Sequence, residues 1–217
     1  MATAAARGHA LRRGVRLEVI TVAWMVAEAV LAIGAGIVAR SVLLTAFGFD
    51  SVIELLSGVV LLRRLAFEAR GQSPERIESM ERVTARVSGV LLVLLCVYVV
   101  VSSGAGLVAG VKPQGSALGI AVAAAALVVM PLLAVAKSRA NRLVGSASLR
   151  ADIAETITCA YMAAVTLAGI ALGSWLGLWW LQYLAAIALL IWLVPETREA
   201  LEVARGGHVE PDHHSTG

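Results

Sequence analysis

Val42-Leu43-Leu44-Thr45-Ala46-Phe47-Gly48-Phe49-Asp50-Ser51-Val52-Ile53-Glu54-Leu55-Leu56-Ser57-Gly58-Val59-Val60-Leu61-Leu62 is a run of 21 residues with only two charges, Asp50 and Glu54. A helix needs about 20 apolar residues to cross the hydrocarbon core of a bilayer, and this run has that length. It also buries two carboxylates near its centre, where charge is costly and marks function by default. Five more runs of similar length flank it: Leu17–Val38, Val87–Ala109, Ala117–Ala136, Leu149–Leu172 and Trp175–Val194. The composition agrees, with 59% hydrophobic residues, 15% charged residues and a mean hydropathy of +0.84. A soluble domain carries nearer a quarter charged residues. The fold expected is all-α, a polytopic membrane protein of six transmembrane helices.

Basic residues orient the spans. With the N-terminus inside, 16 of the 18 Lys and Arg fall in inner segments, and only Arg40 and Lys112 lie outside. That bias sets topology, so both termini are expected in the cytoplasm and the membrane is taken as the cell membrane. The net charge of +3 needs no nucleic-acid partner, because inner arginines face anionic lipid. A signal peptide is the competing reading of the basic N-terminus, with Ile37-Val38-Ala39 as a cleavage site. The apolar run is too long for one and contains Glu28, so the first span is read as retained. The organisation expected is a basic N-terminus at 1–16, a transmembrane domain at 17–194 and a disordered tail at 195–217. In that tail His208, His213 and His214 form at most a weak chelating group. Ser73-Pro74-Glu75 signals a helix start, extending the third helix beyond the membrane. Cys96 and Cys159 fall on different spans and form no disulfide framework; Cys96 reads as packing.

A shift of 105 positions lays Ser41 on Ser146, Leu44 on Leu149, Ala46 on Ala151, Asp50 on Glu155 and Glu54 on Cys159. Halves of three spans each enter the membrane with opposite topology, a plan that places a binding site between inverted repeats. Helical spacing sets Phe47, Asp50, Glu54, Ser57 and Leu61 on one face of the second span. It does the same for Asp152, Glu155, Cys159, Met162 and Thr166 on the fifth. Glu54 lies about 13 Å from the inner boundary at Arg63 and Asp50 about 20 Å, too deep to reach water. If the stripes face each other, Asp50, Glu54, Glu155 and Cys159 offer three carboxylates and a thiolate, a set for a four-coordinate divalent ion such as zinc. Four negative charges so close need protons whenever the ion is absent, so metal entry expels protons. Asp152 is expected to pair with Arg150.

Ser41–Glu54, ending Phe47-Gly48-Phe49-Asp50-Ser51-Val52-Ile53-Glu54, resembles the second transmembrane segment of the cation diffusion facilitator (cation efflux) family. Ser148–Cys159, with Ala151-Asp152-Ile153-Ala154-Glu155 and then Cys159, is similar to its fifth. The resemblance implies that Asp50, Glu54, Glu155 and Cys159 occupy the metal positions. Glu155 stands where the family has His, and Cys159 where it has Asp. The chain resembles a short branch consisting of the transmembrane domain only, without the family's cytoplasmic domain. The function expected is proton-coupled efflux of a divalent cation, zinc first, with cadmium, manganese, iron and cobalt as other cargo. The partners are that ion, protons, the lipid bilayer and a second copy of the chain as a homodimer; no cofactor is expected.

Two other readings stand beside it. Glu28, with Trp24 one turn away for cation–π contact, suits a small multidrug-type proton/organic-cation antiporter. Gly106-x-x-x-Gly110 and Gly169-x-x-x-Gly173 suit a non-transporting scaffold held by close helix packing. No phosphate-binding Gly-rich loop, helical histidine pair or nucleophile elbow is present, so neither an enzyme nor an ATP-driven pump is expected.

Overall fold

The computed structural model describes residues 4–69, 75–145 and 147–204. Six helices account for almost all of them: α1 (Ala4–Ala39), α2 (Val42–Ala69), α3 (Glu75–Val108), α4 (Ala117–Val144), α5 (Ala147–Leu176) and α6 (Leu181–Ala204). No strand occurs among the described residues. Each helix contains a segment long and apolar enough to span a membrane, as the apolar runs predict. The histidine tail and the Ser73-Pro74 signal lie outside the described residues, but α3 begins at Glu75, ahead of its span at Arg86.

The helices end where local chemistry stops them. Arg40 adopts a left-handed φ of 52°, and the Ser41 amide bonds the Gly36 carbonyl at 2.9 Å, closing the α1–α2 hairpin within two residues. Gly145, with φ 70°, ends α4, and its amide bonds the Asn141 carbonyl at 2.8 Å. The Ser116 hydroxyl caps the other end by accepting from the Gly119 amide at 3.0 Å. Between the last two helices, Gly177 has φ 67° and turns the chain. The sixth helix therefore starts at Leu181, and Trp175, expected to open it, belongs to the end of α5.

Packing runs both within and across the two halves, and α3 and α6 pack more heavily on each other than on the helices of their own halves. The pairs α1 with α2 and α4 with α5 are the counterpart contacts within each half, as are α2 with α3 and α5 with α6. Across the halves α1 meets α4, α2 meets α5 and α3 meets α6, each helix touching its own repeat partner. The contact of α2 with α6 has no counterpart of similar strength between α5 and α3. One continuous apolar core draws on all six helices, including Met25, Phe47, Leu95, Met130, Met162 and Leu189. Outward faces carry Val30, Val101, Leu132 and Ile191 exposed, as lipid contact requires. The backbones of α1 and α2 approach so closely that a Cβ on Gly36 would stand 2.7 Å from the Thr45 amide nitrogen. One on Gly48 would stand 2.8 Å from that of Ile33. Only glycine allows that approach, and it brings the acids of α2 against α1.

Candidate cation site

Asp50 and Glu54 sit on the buried face of α2, 1% and 3% exposed, as their one-turn spacing predicts. Both oxygens of Glu54 and Oδ2 of Asp50 are buried without a geometrically sound hydrogen bond. Cys159, on α5, is fully buried, and its thiol lies beside Glu54. The thiol donates to Glu28 Oε1 at 3.5 Å. The two stripes thus meet at Glu54 and Cys159, where α2 packs on α5.

Glu28 enters this cluster from α1. It is 1% exposed, and its carboxylate is held on both sides: Ser51 Oγ donates to Oε1 at 2.7 Å, and Trp24 Nε1 donates to Oε2 at 2.5 Å. Trp24 is therefore tied to Glu28 as a hydrogen-bond donor. Glu155 is only partly buried and stands a turn nearer the end of the bundle that carries most arginines. It shares its field with Asp152, Glu196, Lys137 and Glu18 as well as with Asp50 and Glu54. Glu196, on α6, lies within electrostatic range of both Asp50 and Glu54. Among the described residues no three Asp, Glu, His or Cys side chains are closed on a point that would hold an ion, so the acids are gathered but not converged. An apolar groove of about 320 Å³ between α2 and α3, lined by Phe49, Leu91, Leu95 and Tyr98, is separate from them in character.

Toward the arginine-rich end lies a second buried group. Lys137 Nζ, on a fully buried side chain, donates to Asp152 Oδ2 at 2.6 Å and to Thr156 Oγ1 at 3.4 Å. It stands 3.0 Å from Glu18 Oε2 in an ion pair whose alignment falls short of a hydrogen bond. Asp152 thus pairs with Lys137 and not with Arg150, which is exposed. The expectation failed because Arg150 lies only two residues from Asp152 and points elsewhere on the helix, whereas Lys137 is brought over by α4. Lys137 also leaves the set of inner-loop cations, because α4 continues past the predicted span at Ala136 to Val144. Ala140 and Val144, apolar at helical spacing beyond Lys137, are the signal that could have shown this. Glu18, which fills the other side of the triad, has no local motif to reveal it.

Both cysteines are free; Cys159 is fully buried, and half-buried Cys96 lies 3.7 Å from Thr197 Oγ1. A six-helix membrane bundle with unsatisfied carboxylates at mid-depth is the architecture of an ion-handling transporter. The model of the cation efflux transmembrane domain matches residues 19–203, and the chain belongs to this family of metal cation transporters. Curated proteins give no match to the chain.

Proposed function

We propose that the chain exports a divalent cation, zinc first, in exchange for protons, across the cytoplasmic membrane with both termini on the cytoplasmic side. Asp50, Glu54 and Cys159 are ligands, and Glu155 serves the site from its cytoplasmic edge. The observation that carries this is the pair of bare Glu54 oxygens beside the buried Cys159 thiol, with Asp50 Oδ2 also lacking a donor. Polar atoms buried without partners cost on the order of 1–3 kcal/mol each, so a fold retains them where a ligand satisfies them. Carboxylate oxygens accept either a metal ion or a proton, and the exchange of one for the other is antiport chemistry. A thiolate among oxygens favours zinc or cadmium over manganese.

The charge distribution supports the orientation. With buried Lys137 set aside, 15 Lys and Arg fall on the proposed inner side against two outside. The organic-cation reading loses ground because Glu28 is not a solitary acid but shares Ser51, Trp24 and Cys159. Metal uptake into proteoliposomes tests the site: Asp50→Asn and Glu54→Gln should each abolish zinc uptake while eluting as folded protein. Uptake at the wild-type rate in both would remove these residues from the pathway.

A further inference from the structure

We propose that Glu28, on α1, is a ligand of the transported cation, completing with Asp50, Glu54 and Cys159 a site drawn from three helices. This rests on the transport reading given above, and extends it to a helix that the twin stripes of α2 and α5 do not include. Geometry carries it. Two ligands of one tetrahedral zinc, with Zn–S about 2.3 Å and Zn–O about 2.1 Å, stand about 3.6 Å apart. Glu28 Oε1 and Cys159 Sγ stand 3.5 Å apart. They therefore already have the spacing of two donors on one ion, although they belong to residues 131 positions apart in sequence.

The rest of the surroundings fits. Ligating carboxylates are themselves hydrogen-bonded by outer groups that fix their orientation. Glu28 has two such groups, Ser51 and Trp24, one on each oxygen, and they leave Oε1 directed at the thiol. The oxygens of Glu54, nine-tenths and more buried and without a donor, neighbour the same sulfur. Closing the site needs Glu54 and Asp50 to move toward the Glu28–Cys159 pair. Glu155, only partly buried, shares its field with Asp152 and Lys137 as well as with Asp50 and Glu54, and we place it at the edge of this site.

Cobalt binding to the purified full-length protein tests this, because Co2+ bound to thiolate gives a charge-transfer band and four-coordinate Co2+ an intense visible band. Glu28→Gln should weaken Co2+ binding at least about tenfold, the low end of what losing even an outer partner of a bound metal costs. The visible band should change with it while the thermal melt stays near wild type. Wild-type affinity and spectrum in folded Glu28→Gln would overturn the proposal. If that variant does not fold, Glu28→Asp decides: a changed visible spectrum supports ligation, and an unchanged spectrum and affinity refute it. Asp50→Asn and Glu54→Gln run in parallel. If they bind Co2+ like wild type the underlying transport site is wrong, whereas if they lose it and Glu28→Gln does not, only the role of Glu28 fails.

Discussion

Lys137 shows how much a single buried charge organises. Two carboxylates, Glu18 from α1 and Asp152 from α5, converge on one ammonium from α4, so three helices are tied at one point. Removing one partner of a buried ionic group leaves the others uncompensated and costs about 3–5 kcal/mol, whereas replacing the whole group by apolar residues is often neutral. Lys137→Met should therefore destabilise the protein by about that amount, and adding Glu18→Leu and Asp152→Leu should recover most of it. Thermal unfolding of the three proteins in detergent measures both effects. At this scale the sequence was legible where partners lie within a turn or two of one helix, as for Asp50 with Glu54. It was not legible where topology joins residues far apart, as for Glu18 with Lys137 or Glu28 with Cys159, because no helical spacing encodes those meetings.

Helices and their joints carry the next level. Span length revealed all six helices, since about 20 apolar residues have no other use. The joints were harder: Trp175 continues the apolar pattern into the turn, and only the left-handed Gly177 ends α5. Of the glycines in the small-residue motifs, Gly106, Gly169 and Gly173 pack against other helices of the chain. Gly106 lies against Tyr183 of α6 and Gly169 against Leu43 and Ala185, while Gly110 sits in a turn with no side chain over it. A Cβ on Gly106 would stand 2.5 Å from the Tyr183 ring, and the Tyr183 hydroxyl is anchored to the Val111 carbonyl at 2.8 Å. Gly106→Ala should thus loosen the α3–α6 pair and cost about 1–3 kcal/mol, the range for overpacked interiors. Arg40→Gly should do the reverse at the α1–α2 hairpin, gaining up to about 1 kcal/mol because glycine takes the left-handed conformation without a Cβ clash. Melting temperatures of the two variants against wild type check both signs.

At the scale of the whole molecule, the acid cluster lies where α2 meets α5, the second helix of each half. On the proposed transport reading, rocking one helix group against another would expose such a site to each side in turn. The Lys137 triad joins α1, α4 and α5 beside this cluster. The twin stripes made the meeting of α2 with α5 readable in the sequence, while the contact of Glu28 on α1 with Cys159 was not, since the 105-residue shift compares α2 with α5 alone.

Proton-coupled export of metal is tested most directly in proteoliposomes loaded with a pH dye and given an inward zinc gradient. Zinc entry should be accompanied by proton exit, with internal alkalinisation that scales with zinc flux and disappears in Glu54→Gln. Zinc entry without any pH change, or no flux of zinc, cadmium, manganese or cobalt through folded wild-type protein, would contradict it.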